Sequence, residues 1–166
     1  MTTTTETTFD RQIILRAHPI DPDRLQAMRV QGHDEHGNPW MAYPALGWEP
    51  LRCCLRLADA NEAIVLISYA PFTTTSPWTE AGPVYVHADR CPGYAEDGLP
   101  AAFRTGPRVL RGYDRDRALL YDHVRVVGEG EDLAAVAREL LADAVVQTVH
   151  VRALATQCFT YAITRR

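Results

Sequence analysis

The chain has 166 residues, 46% hydrophobic and 23% charged, which places it at the common size of one globular domain and outside the composition of disordered or fibrous chains. A formal net charge of −4 excludes the nonspecific nucleic-acid binding that draws its affinity from neutralising phosphates. All 17 basic residues are arginine, so a lysine Schiff base, and with it pyridoxal phosphate, is excluded, as is the nucleotide-binding P-loop, which needs its lysine.

The opening "MTTTTETTFD" has an acidic residue and threonines where an export signal needs a basic start and an apolar run, and no later stretch approaches the roughly 18 apolar residues of a membrane helix. Residues 1–8 read as a flexible N-terminus and 9–166 as a single cytoplasmic domain with no membrane partner. In that setting Cys53, Cys54, Cys91 and Cys158 are expected to stay reduced.

In "FDRQIILRA", 9 to 17, Phe9, Arg11, Ile13 and Leu15 alternate as in a strand. Asp21, Pro22 and Asp23 then supply an N-cap, a proline at the first helical position and an acidic first turn, which predicts a helix over about 22–30. The stretch 31 to 52 is rich in Gly, Pro and aromatics, has no period and reads as a long loop held by Trp40, Tyr43 and Trp48. "EAIVLISYAPF", 62 to 72, is apolar on both faces and reads as a strand in the middle of a sheet.

After a turn, "PVYVHAD" places Val84, Val86 and Ala88 on one face and Tyr85, His87 and Asp89 on the other. "RVLRGYD" and "ALLYDHVRVV" are two further strands. Leu133, Val136, Ala137, Leu140 and Leu141 fall at helical spacing behind Glu131 and Asp132, which predicts a helix over 131–144. "VVQTVHVRAL" and "CFTYAITRR" close the chain as strands around a turn at Ala155 to Gln157. The order predicts an α+β domain, a mainly antiparallel or mixed sheet with about two helices packed on it.

Strand parity selects the candidate chemistry. Thr148, His150 and Arg152 share one face of their strand, Val109, Arg111 and Tyr113 share one face of theirs, and Tyr85 and His87 share a third. Converging faces would form a concave site in which Arg111 and Arg152, with Tyr85 and Tyr113, bind a small anionic molecule, while His87 and His150 move protons and Glu80 orients one of them or acts as base. The bland alternative is that these are the solvated faces of half-buried strands.

Cys54, His87 and Cys91 are the candidate zinc ligands, since thiolate and imidazole suit zinc, although they match no standard spacing. His33 and His36 in "HDEHGN" read as part of a solvated turn, and so does "RGYDRDR". Ser68 and Ser76 sit in no nucleophile elbow, which leaves Cys158, shortly after His150, as the candidate nucleophile.

The stretches "CLRLADANEAIVLISYAPFTTTSPWTEAGPVYVHADRC", "LRGYD" and "VHVRALATQCFTY" resemble, in this order, the bacterial proteins of the domain of unknown function 1203 family. The resemblance implies no reaction. It implies a signature at Cys54, Leu55, Glu80, Gly82, Pro83, His87, Cys91, Arg111, Tyr113, His150, Arg152, Cys158 and Phe159. It also implies two departures: Leu51 stands where the family pattern places a first cysteine, with an extra cysteine at Cys53, and Gln157 replaces a glycine before Cys158.

Three readings follow. The first is a binder of a small anionic molecule, with or without histidine acid/base chemistry. The second is a metal-binding or thiol-dependent protein built on Cys54, His87 and Cys91. The third is a non-catalytic interaction module whose apolar edge forms a homodimer.

Overall fold

The computed structural model describes residues 13–166. The flexible N-terminus and the first half of the expected strand over 9–17, including Phe9 and Arg11, lie outside the described residues; the strand that is described, β1, runs Leu15–His18. The remaining α-helices and strands are α1 (Pro22–Gln31), β2 (Tyr43–Pro44), β3 (Pro50–Leu51), β4 (Arg56–Leu57), β5 (Ala63–Tyr69), β6 (Gly82–His87), β7 (Arg108–Tyr113), β8 (Leu119–Val127), α2 (Leu133–Ala142), β9 (Thr148–Ala153) and β10 (Phe159–Arg165), with one 3-10 turn at Ala101–Phe103. The class is α+β, and the strands divide into two five-stranded sheets. The first, β1-β10-β9-β7-β8, is antiparallel throughout, and the second, β2-β5-β6-β3-β4, is mixed through the parallel pair β3/β6.

Both helices begin where local chemistry starts them. The Asp21 carboxylate accepts from the Asp23 N–H at 2.8 Å with Pro22 in the first turn, and Gly32 ends α1 in the left-handed region at φ 74°. Asp132 caps α2 by accepting from the Ala134 N–H, so the helix starts two residues later than the acidic run suggests. Asp143, in extended backbone, takes the Val145 N–H onto its side chain and ends the helix before 144.

Leu133, Ala137, Leu140 and Leu141 of α2 bury one face of the first sheet, against Leu110, Val149, Val151, Tyr161 and Ile163. A second core gathers Leu25 and Met28 of α1 with Val65 and Ile67 of β5 and Val84 and Val86 of β6, which share one face of the second sheet. The opposite face of the first sheet carries Tyr113, His150, Arg152 and Phe159. Residues 70–81, between β5 and β6, reach it: Phe72 packs on Tyr113 at 5.0 Å and on His150 at 4.7 Å.

Three expectations change. The stretch 31–52 contains the two-residue strands β2 and β3, which a periodicity argument does not register. The strand β5 lies inside its sheet, between β2 and β6, yet Leu66 is 44% exposed, so one of its faces is only partly covered. And the polar faces read from parity belong to two sheets. Among the described residues no helix is long and apolar enough to cross a membrane.

Candidate functional site

The sequence Arg52-Cys53-Cys54-Leu55 forms the tight turn between β3 and β4, closed by the Leu55 N–H donating to Leu51 C=O at 3.0 Å. In a strand, adjacent cysteines would point to opposite faces; the turn sends both toward the same neighbour. Leu55 adopts φ 57°, a left-handed conformation costly to a residue with a side chain, while its side chain is buried in the core under the first sheet. Two bonds tie the turn to β6: Arg52 N–H donates to Tyr85 C=O at 2.9 Å, and His87 N–H donates to the Cys53 sulfur at 3.3 Å.

His87 ends β6. The Arg29 guanidinium holds the backbone there, donating to the carbonyls of His87 and Ala88, and the Trp40 indole donates to the latter as well. The imidazole Nδ1 lies 3.4 Å from Cys53 Sγ and 3.7 Å from Cys54 Sγ, and the two sulfurs are 4.0 Å apart. Cys91 follows four residues later and completes a group whose four ligand atoms all lie within 4.8 Å of one another. On its far side the imidazole Nε2 stands 3.3 Å from Glu62 Oε1 and 3.2 Å from Arg56 Nη2, and Arg56 donates to both oxygens of that carboxylate.

The electrostatics of this cluster favour charge separation. The hydrogen bond to the Cys53 sulfur, with further contributions from Cys91 and Glu62, pushes the His87 imidazole up to about 9 against the pull of burial. Cys53, donating to Cys54 and buried, has its thiol pushed up to about 12, and Cys54, accepting that bond, is lowered. Arg56 brings Glu62 down to about 2. Cys53 is buried, while Cys54, His87 and Cys91 line an open cavity of ≈ 530 Å³ together with Arg56, Tyr94 and Glu96. All four cysteines of the chain are free thiols.

A second polar cluster lies on the first sheet. Arg111 of β7 and His150 of β9 are directly paired, and Arg152 pairs with Val109, so both arginines and the histidine share a face as parity implies. Gly112 between Arg111 and Tyr113 admits the close passage of β8: a Cβ there would meet His123 Cβ at 2.9 Å. Glu80 bridges the two arginines, its Oε2 lying 2.8 Å from Arg111 Nη1 and 2.8 Å from Arg152 Nη2. His150 is enclosed by Phe72, Tyr113 and Phe159, with ring centroids at 4.7, 4.5 and 5.1 Å, and burial pushes it down to about 3.

The sequence candidates are therefore brought together in two groups. His87, Cys54 and Cys91 meet on the second sheet, and Arg111, Arg152, Tyr113 and His150 meet on the first with Glu80. The carboxylate beside His87 is Glu62, and Glu80 stands with the arginines instead. Tyr85 belongs to neither group; its ring meets Trp48 edge-on at 6.3 Å. Cys158 donates to Thr156 C=O at 3.6 Å. His33 and His36 flank Asp34, whose buried carboxylate organises their loop.

Three participants escape sequence reasoning. Cys53 reads there only as an extra cysteine, although two adjacent cysteines in a turn are themselves a signal. Glu62 and Arg56 carry none, since only the sheet brings them to His87: Arg56 sits on β4, and Glu62 immediately precedes β5, whose Ile64 pairs with His87. At Gln157 the substituted glycine does have a counterpart in the backbone, a left-handed φ of 57°. Here the glutamine bears that conformation and uses its side chain, accepting from Arg111 and donating to Leu154 C=O.

The family model described as "Protein of unknown function (DUF1203)" matches residues 48–165, a span that contains both clusters and every cysteine. No curated protein and no solved structure matches the chain. On that match, over well more than half of its length and across both polar clusters, the chain belongs to the family of proteins of unknown function DUF1203.

Proposed function

We propose that the protein binds one thiophilic metal ion, zinc foremost, through Cys53, Cys54, His87 and Cys91. The observation that carries this reading is the spacing of the ligand atoms. With Zn–S bonds near 2.3 Å, the ligand atoms of a tetrahedral site stand about 3.5–3.8 Å apart. The separations among Cys53 Sγ, Cys54 Sγ and His87 Nδ1 are 3.4, 3.7 and 4.0 Å. Three thiolates and one imidazole are also a donor set that selects zinc or another soft ion over magnesium or calcium.

Four protein ligands fill a tetrahedron, so the reading is of a structural ion that ties the β3–β4 turn to the end of β6 and to the segment that follows it. Cys54 and Cys91 at the cavity wall leave the ion open to exchange from one side. Reduced thiols throughout fit the cytoplasmic setting expected of the chain. The metal-free imidazolium donates from Nδ1 to sulfur; binding removes that proton and replaces it with the ion.

Elemental analysis of tag-free protein, purified without added metal, tests the reading alongside a count of free thiols. About one zinc per chain is expected, lost in Cys91→Ser and in His87→Ala while circular dichroism shows a retained fold. Metal-free protein with four titratable thiols that takes up no added zinc overturns it, and a disulfide among Cys53, Cys54 and Cys91 would assign these thiols to redox chemistry instead.

A further inference from the structure

We propose a second site, independent of the cysteine cluster: the open cavity between residues 70–81 and the β9–β10 turn binds a small oxyanion, a carboxylate or a phosphate group, on Arg152 and Arg111. The cavity has a volume of ≈ 370 Å³, and Tyr69, Glu80, Arg152, Gln157, Cys158 and Phe159 line it.

Arg152 lines the cavity, and two further guanidiniums, Arg111 and Arg52, stand behind the same wall. Arg152 is only 7% exposed; its Nη1 donates to Gln157 C=O at 2.9 Å, its Nη2 meets Glu80, and its Nε is buried without a partner among the described residues. Arg111 gives Nη1 to both oxygens of Glu80 and Nη2 to the Gln157 side chain. A third guanidinium, Arg52, is 4% exposed and donates to the carbonyls of Phe159 and Pro50, with no carboxylate partner among the described residues. Three guanidiniums thus surround the peptide 157–159, and among the described residues a single carboxylate, Glu80, answers them.

A buried charge without a counter-charge is expensive, and a guanidinium fork matches carboxylate and phosphate oxygens two at a time. Glu80 marks where such an oxyanion sits. Its side chain is 49% exposed and it belongs to a connection rather than to a strand, so an incoming oxyanion can displace it from the arginines. The resident glutamate thereby sets the affinity: a ligand must compete with it, and deleting its charge strengthens binding.

Isothermal titration with inorganic phosphate and, separately, with succinate tests the site in the wild type, in Glu80→Gln and in Glu80→Gln/Arg111→Gln. Arg111 is chosen over the more deeply buried Arg152 so that the variant folds, which circular dichroism checks. Glu80→Gln is expected to bind at least one of the two probes tenfold or more tighter than the wild type, with that gain lost in the double variant. The stronger probe identifies the group: phosphate for a phosphorylated ligand, succinate for a carboxylate. Equal binding by all three proteins, or no binding of either probe by Glu80→Gln, overturns the proposal. Neither outcome bears on the metal content.

Discussion

Glu62 Oε1 stands 3.3 Å from His87 Nε2, on the side of the imidazole opposite the cysteine sulfurs. A carboxylate there accepts a hydrogen bond from Nε2–H, which keeps the proton on that nitrogen, leaves the Nδ1 lone pair for a metal and fixes the ring plane. Arg56 holds Glu62 charged across the neutral range by bringing it down to about 2. Replacing Glu62 by Gln is expected to leave the fold intact and to weaken zinc binding about 10- to 100-fold, the usual effect of removing such a supporting group. Competition with a chromophoric zinc chelator measures this, and unchanged affinity would detach Glu62 from the site.

Asp34, fully buried, is the most heavily bonded carboxylate in the loop after α1. It accepts from the backbone N–H of His36, Asn38 and Ser68 at 2.9, 2.9 and 2.7 Å and from the Asn38 side chain at 2.8 Å. Burial alone would raise it, and these bonds, Ser68 foremost, bring it below the usual carboxylate value. A depressed folded value means stability present above the unfolded value of about 4 and lost as pH falls through the folded one. Asp34→Ala strands several buried donors and is expected to cost on the order of 3 kcal/mol in urea unfolding at neutral pH. A loss below about 1 kcal/mol would show that the loop rearranges to satisfy them.

Elements that carry their own local chemistry are legible in the amino-acid sequence. Asp21-Pro22 and Asp132 announce two helices, and alternation places Arg111, His150 and Arg152 on one face, which the β7/β9 register bears out. What alternation does not carry is which strand lies beside which. Parity alone therefore admits His87 and His150 to one pocket, yet β6 belongs to the second sheet and β9 to the first. Asp34 is hidden for a related reason: in "HDEHGN" it looks like turn polarity, and only the Ser68 N–H, 34 residues away, makes it part of the interior. Cys53 needs the turn geometry, because a strand would turn it away from Cys54.

Tyr161 illustrates a polar atom that the fold does not use. Its ring stacks on Phe103 at 6.3 Å in the core beneath α2, and its hydroxyl is buried without a hydrogen-bond partner among the described residues. Burial pushes that hydroxyl above the ordinary tyrosine value, so it stays protonated and unbonded. Tyr161→Phe keeps the ring and removes the desolvated group, and it is expected to stabilise the protein by about 1 kcal/mol. A lower urea midpoint in the variant would reveal a bond made by that hydroxyl.

His150 gives the chain a distinct acid limb. Burial first, and then Arg152 and Arg111, pushes its imidazole down to about 3, whereas in the unfolded chain it titrates near the ordinary 6.5. Between those values the unfolded state holds the extra proton. Stability is therefore full above about pH 7 and falls as pH drops from about 6.5 toward 3, by up to roughly 1.4 kcal/mol per pH unit and on the order of 4 kcal/mol over the window. Asp34 acts in the same direction only below about pH 4, so the interval from about 4.5 to 6.5 separates the two. His150→Leu, close in volume and uncharged, is expected to flatten the urea-midpoint profile across that interval relative to the wild type. Release of a metal from His87 in acid would steepen both proteins alike, so the difference between them isolates His150; an identical slope in the two would mean that this imidazole is solvated and titrates normally.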